Sequence, residues 1–194
     1  MNRGRRPFVP GEIFIERHER PCGGVTETPI SYLIPSLSRP TLARTLASIE
    51  LWPGDEIVVV RRTPPGGDFG HTERNEALPF LRNAWFASID DDDWYVPGTR
   101  AHFADAIRKQ PANGPVPVIF RMQFPSGRTL WKDGEPELKN GNFGTPMLLC
   151  PNIPAKLHHY GNRVCGDFDF INNSVWPRRN IMWRPEIIAL LGHE

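Results

Sequence analysis

Long apolar runs, paired cysteines and a surplus of one charge are all missing from this sequence. No apolar stretch approaches the ~20 residues that a membrane span needs. None forms an h-region behind the basic start Met1-Asn2-Arg3-Gly4-Arg5-Arg6, so that start is expected to be a flexible, solvated arm rather than a signal peptide. Cys22, Cys150 and Cys165 show no CxxC spacing. An odd count without a secretory signal fits a reducing compartment, and the expected location is cytoplasmic. The net charge is +1, from 23 basic and 22 acidic residues. That balance argues against a protein that works by covering phosphate backbone. There is no internal repeat and no low-complexity segment.

Proline and glycine are abundant, at 21 and 17 residues, and imply many turns and irregular connections, especially after residue 110. With 39% hydrophobic and 23% charged residues over 194 positions, the chain has enough material for a globular domain with a proper core. The expected organisation is a lead-in over 1–28 and one domain over 29–194. The lead-in holds one short strand, Glu12 to Glu16.

Ile30-Ser31-Tyr32-Leu33-Ile34-Pro35 reads as a buried strand ended by proline. Pro40 suits the first turn of a helix, and Leu42, Leu46 and Ile49 make one apolar stripe after it. Asp55-Glu56-Ile57-Val58-Val59-Val60 is a second strand, whose unbroken Ile/Val run suits a parallel sheet covered on both faces. A strand, helix, strand order is a βαβ unit. Thr72 to Leu78 begins another helix, with Thr72 as its cap and Pro79 cutting it short. Beyond Gln110 the pattern predicts strands over 116–123, 128–131 and 147–150, with a hairpin turn at Pro125-Ser126-Gly127. It also predicts a helix opening at Gly166 and an apolar helix over Pro185–Leu191.

The strongest chemical signal is Asp90-Asp91-Asp92-Asp93 behind the apolar run Trp85-Phe86-Ala87-Ser88-Ile89. Four carboxylates at the mouth of a buried strand repel one another and are costly to desolvate. A hard divalent cation carrying a phosphorylated ligand would compensate them. In extended backbone, Asp90 and Asp92 share a face, opposite to Asp91 and Asp93. Ligands of open α/β sheets sit at the carboxyl ends of strands. Three such ends are Pro35 to Arg39, Arg61-Arg62 and the aspartate run.

From Ile30 to about Pro97 the chain resembles the nucleotide-sugar half of a GT-A fold glycosyltransferase, similar to glycosyltransferase family 2. The likeness rests on Ile34-Pro35-Ser36-Leu37-Ser38-Arg39-Pro40, Asp55 to Val60, Arg74-Asn75-Glu76-Ala77, and Ile89 to Gly98 with its Asp-x-Asp motif. It implies an α/β, Rossmann-like single domain. Its central sheet would be mainly parallel and flanked by helices, with a smaller antiparallel acceptor-side portion. The donor half would span about 29–110 and the acceptor half about 111–194. It further implies that Asp92 and Asp90 hold Mn²⁺ or Mg²⁺, and that Pro35, Ser36, Arg39, Arg61, Arg74, Asp90 and Asp91 bind the donor. The donor would be a UDP-sugar first, with GDP- and dTDP-sugars as further options. Cys165-Gly166-Asp167-Phe168-Asp169-Phe170 resembles the family's later acidic motif, which makes Asp167 the general base of an inverting transfer. Trp94, Asp169 and His158 are acceptor-side candidates. The acceptor itself stays open: a polysaccharide, a protein, a lipid-linked sugar or a modified DNA base.

Two departures from the family pattern stand out. Arg61-Arg62-Thr63 replaces acidic residues that usually contact the nucleotide, and Gly166 replaces an acid before Asp167. They keep two alternatives in play. One is a degenerate GT-A domain that binds a glycan or partner without turnover. The other is a related nucleotidyltransferase, which the lack of glycine between Leu33 and Pro40 disfavours.

Overall fold

The computed structural model describes residues 12–21, 27–131, 136–176 and 180–192. The arginines of the N-terminal arm and Cys22 lie outside these residues.

Among the described residues the fold is one nine-stranded mixed sheet with helices packed on it. The strands are β1 (Glu12–Glu19), β2 (Ile30–Pro35), β3 (Glu56–Thr63), β4 (Trp85–Ser88), β5 (Trp94–Tyr95), β6 (Val118–Gln123), β7 (Thr129–Leu130), β8 (Leu148–Pro151) and β9 (Met182–Leu190). Among the described residues, four α-helices accompany them: α1 (Leu42–Ser48), α2 (His71–Ala77), α3 (Thr99–Arg108) and α4 (Gly166–Asn173). The sheet order is β1-β3-β2-β4-β8-β6-β9-β5, with β7 paired to β6.

The first half follows the sequence reading. Every residue of β2 is buried, as are Ile57 to Val60 of β3, so both strands pack on two sides. β2 runs parallel to β3 and to β4, with α1 and α2 as the connections. Pro79 stops α2, which gives way to a short 3₁₀ turn over Leu78–Phe80. The helix begins one residue before Thr72, and Gly70 caps it with a left-handed φ of 76°. Only glycine adopts that backbone without cost. β1 adds to the outer side of β3 in antiparallel register, so the predicted short strand is an edge of the same sheet.

The expectation of a mainly parallel sheet does not hold. Among the described residues only the β2/β3, β2/β4 and β6/β9 pairings are parallel. β1/β3, β4/β8, β6/β8, β6/β7 and β5/β9 are antiparallel. The Ile/Val run of β3 signalled two-sided burial, and an antiparallel neighbour on one edge is compatible with that.

The C-terminal helix expected over Pro185–Leu191 is instead strand β9. Its pairing with β6 jumps from Ile119↔Trp183 to Arg121↔Ile187. Arg184, Pro185 and Glu186 therefore bulge out of register, which is where a strand tolerates proline. Arg184 donates to Glu186 and to Asp105 of α3, closing the bulge onto that helix.

Beneath the sheet, Asp55 at the start of β3 organises three segments. It accepts the Ile30 N–H at 2.8 Å, the Trp52 N–H at 2.8 Å, and a bidentate pair from Arg100 of α3 at 2.7 and 3.1 Å. Arg100 also donates to Thr28 O and lies 4.4 Å over the Trp52 ring. The apolar core continues through Tyr32, Tyr95, Phe103 and Phe120, whose rings meet edge-on or tilted.

Candidate active site

The carboxyl ends of β2 and β4 lie side by side, because β2 pairs parallel with β4 and Ile89 N–H continues the ladder to Leu33 O. Ser36 N–H likewise bonds Val60 O of β3. This brings the loop after β2 and the aspartate run to one cleft of about 570 Å³. Pro35, Ser36, Arg39, Asp90, Asp91 and Asp92 line it, together with the 65–70 loop and Glu73.

The four aspartates divide as alternation predicts, although the backbone turns there, with Asp93 N–H donating to Asp90 O. Asp91 and Asp93 are buried, at 3% and 1% exposure. The side chains of Asp90 and Asp92 keep 33% and 23%. Asp91 is spent on structure. It accepts from Ser36 Oγ at 2.8 Å, the Leu37 N–H at 2.9 Å and Arg39 at 3.2 Å. Asp93 accepts the Gly192 N–H at 2.9 Å, and burial, then the charge of Asp90, push its carboxyl up to about 8. Asp92 pairs with Arg39. Asp90 accepts from Arg74 at 2.5 Å.

Arg74 is fully buried and every bond it makes is local to the site. It donates to Ser88 Oγ at 3.1 Å and Phe69 O at 2.9 Å, and it lies 5.5 Å over the Tyr160 ring. Its guanidinium therefore fixes Asp90 against β4 and reaches the cleft only through that carboxylate.

Asp167 stands in the first turn of α4, outside the cleft lining but close enough for both Arg74 and Asp90 to act on its charge. Burial raises its carboxyl to about 6, against the lowering effects of the Phe168 N–H and Arg74. A carboxylate poised there can take a proton near neutral pH.

The remaining candidates stand apart from the cleft. Arg61 donates to Glu16 of the edge strand at 2.7 Å. Arg62 is buried and donates to Pro64 O at 2.8 Å. Asp169 pairs with Arg163. His158 Nδ1 lies 3.0 Å from the neighbouring His159 O. Arg44 covers one face of Trp94, 3.4 Å from the ring centroid.

Three contributors escaped the sequence reading: His71, Glu73 and Phe69. They come from a Pro/Gly-rich loop and a short helix without apolar periodicity, so only their chemistry could have flagged them. His71 stacks on Tyr160 at 5.7 Å, and Tyr160 stacks on Phe170 of α4 at 4.2 Å. Asn75 adds a two-way pair with the Tyr160 backbone at 2.7 and 3.0 Å. This ladder joins α2 to α4, the helix that carries Asp167. Burial, then Arg74, lower His71 to about 4, so the ring is neutral.

The same ladder explains Gly166. A Cβ there would lie 2.0 Å from Gly161 O and 2.5 Å from His71 Cδ2. A side chain at position 166 therefore has no room beside His71 and the Gly161 carbonyl. Gly166→Ala is expected to cost about 1–3 kcal/mol by overpacking, read as a lowered urea midpoint. An unchanged midpoint would show that the α2–α4 contact gives way freely.

Among the described residues, no group of three or more His, Cys, Asp or Glu is arranged to hold a metal ion. No described helix is long and apolar enough to cross a membrane. Cys150 and Cys165 are free thiols.

No protein-family model and no curated protein matches the sequence. Solved structures do. The fold is similar to that of Staphylococcus aureus TarS 1-349, with a TM-score of 0.61 at 14% identity, covering 84% of this chain and 60% of that one. A longer S. aureus TarS chain matches with a TM-score of 0.58 at 13% identity, over 84% of this chain and 36% of that one. At such identities the likeness is one of fold, and this chain spans less than two thirds of either TarS chain.

Proposed function

We propose that the protein is a glycosyltransferase that moves a sugar from a nucleotide-sugar donor to an acceptor hydroxyl, with inversion at the anomeric carbon. The observation that carries this reading is the joint placement of partly exposed Asp90 and Asp92 in a ligand-sized cleft with Asp167 within electrostatic reach of them. The fold similarity to TarS, a family 2-type glycosyltransferase, supports it.

Two carboxylates without a third ligand suit Mg²⁺ or Mn²⁺, which complete their shells with waters and substrate phosphates. Asp92 and Asp90 would hold the cation, and Arg39 and Arg74 now balance those charges. When bound, the cation neutralises the departing diphosphate. The protein's own residues do the rest. Ser36 and Arg39 frame the donor phosphates, with Asp91 pinning that loop. Asp167 takes the acceptor hydroxyl proton as the oxygen attacks the anomeric carbon. The bond from that carbon to the diphosphate oxygen breaks, and the diphosphate leaves with the electron pair.

A thermal-shift panel of UDP-, GDP-, CDP- and dTDP-sugars, with and without Mn²⁺, tests the reading. A true donor at 100 times its Kd stabilises the fold by about 2.7 kcal/mol. The Mn²⁺ increment should disappear in Asp92→Asn. If no sugar nucleotide moves the melting temperature with metal present, the cleft belongs to a binding module without a nucleotide donor.

A further inference from the structure

The cleft has a second wall whose chemistry the aspartates do not explain. β3 carries Arg61 and Arg62 just before its last residue, and both engage protein groups away from the cleft, so neither is offered to a nucleotide there. The loop that follows supplies different groups. Phe69 is 64% exposed and lines the cleft, as does exposed Leu37 from the loop after β2. A large apolar ring left in water at a cleft is a stacking surface rather than a core element.

Glu73, on α2, also lines the cleft and is only 3% exposed. Its Oε1 accepts the Gly66 N–H at 2.8 Å, which ties down the loop bearing Phe69. Its Oε2 is buried and has no hydrogen-bond partner. A buried carboxylate oxygen without a donor is costly and calls for one.

We infer that Glu73 Oε2 reads the ring N–H of the donor's nucleobase while Phe69 stacks on its face, making the site selective for nucleoside diphosphates of uracil, thymine or guanine. This inference rests on the nucleotide-sugar reading of the cleft. Uracil and thymine present N3–H in the plane of the ring, and guanine presents N1–H. Cytosine and adenine carry a lone pair at the equivalent position, which a carboxylate repels. One oxygen of Glu73 is already committed to Gly66, so a single strong in-plane donor is the match.

The test is isothermal titration of UDP, dTDP, GDP, CDP and ADP with Mn²⁺ present, on the wild-type protein, Glu73→Gln and Phe69→Ala. At least one of UDP, dTDP and GDP should bind ~10-fold or more tighter than CDP and ADP, the scale of one hydrogen bond to a charged group. Glu73→Gln should erase most of that gap, because its amide can donate to the cytosine lone pair. Phe69→Ala should weaken all five together and leave the ratios in place. Equal binding of all five by the wild-type protein overturns the inference while leaving the donor reading intact. So does a uniform loss in Glu73→Gln, which would make Glu73 a loop anchor only. Failure of every nucleotide to bind the wild-type protein overturns both. If Glu73→Gln folds poorly, the wild-type panel still tests the selectivity and Phe69→Ala still tests the stacking.

Discussion

Asp167→Asn is expected to fold normally and to transfer sugar about 10²- to 10⁴-fold more slowly than the wild-type protein, the usual contribution of a positioned general base. Asparagine keeps the oxygen that accepts the Phe168 N–H at 2.7 Å, so the first turn of α4 is preserved. What it removes is the group proposed to take the acceptor proton. Burial holds that carboxyl at about 6. The wild-type rate should therefore fall as pH drops below 6 and Asp167 protonates. The residual rate of the variant should lack that inflection. Stability should move the other way. A carboxyl whose folded value lies above its unfolded one supports the fold fully below about pH 4 and loses that support as pH rises through 6. Asparagine does not ionise, so at pH 8 the variant should be more stable by about 1–3 kcal/mol. Slower transfer with higher stability is the signature of a strained functional carboxylate. If transfer is unchanged, another group is the base. If both rate and stability fall, Asp167 only supports α4.

How far the sequence carries the reader depends on whether a signal is local. β2, β3 and β4 were legible because each is a short buried run of apolar residues that needs no partner to declare itself. The division of the aspartates was legible because side chains alternate over four positions whatever lies beyond them. β9 was not. Ile187-Ile188-Ala189-Leu190 packs equally well as a helix face or a strand, and its strand identity comes from β6, some 65 residues earlier, and from a bulge that absorbs Pro185. The mixed sheet was hidden for the same reason, since strand direction after residue 110 is set by non-local pairing. At the site, Arg61 looked like a donor-binding residue by its position at a strand end. The edge strand β1, read as a short strand of the lead-in with no partner assigned, supplies the Glu16 that takes it. Glu73 and Phe69 went unnoticed because nothing in their spacing marks a cleft. They stand out only when burial leaves one oxygen without a donor and one ring in water.

The largest stability effect is expected far from the cleft, at Asp55. Asp55→Ala should destabilise the fold by about 3–5 kcal/mol, the cost of breaking one side of a buried charged pair. Asp55 is fully buried, and so is Arg100. The loss would strand the Arg100 guanidinium in the interior and leave the Ile30 and Trp52 N–H groups without acceptors. Each of those groups anchors a different segment: the start of β2, the turn that leads into β3, and the first turn of α3. Natural domains hold only about 5–15 kcal/mol in total, so this one change would consume a large share. At 2–4 °C per kcal/mol for a chain of this size, the melting temperature should fall by roughly 6–20 °C. Arg100→Met should cost a similar amount, because it leaves the carboxylate buried with two backbone donors alone. The double variant Asp55→Ala, Arg100→Met should be less destabilised than the sum of the two, since it removes both charges together. Urea unfolding of the four proteins measures the cycle. Additive losses would mean that the two side chains do not share a buried pair, and a loss under 1 kcal/mol in Asp55→Ala would mean that water reaches them. The hub lies at the amino end of β2 and the cleft at its carboxyl end, so the fraction that stays folded should bind the donor with unchanged affinity. That separation lets the fold's stability and the cleft's chemistry be altered one at a time.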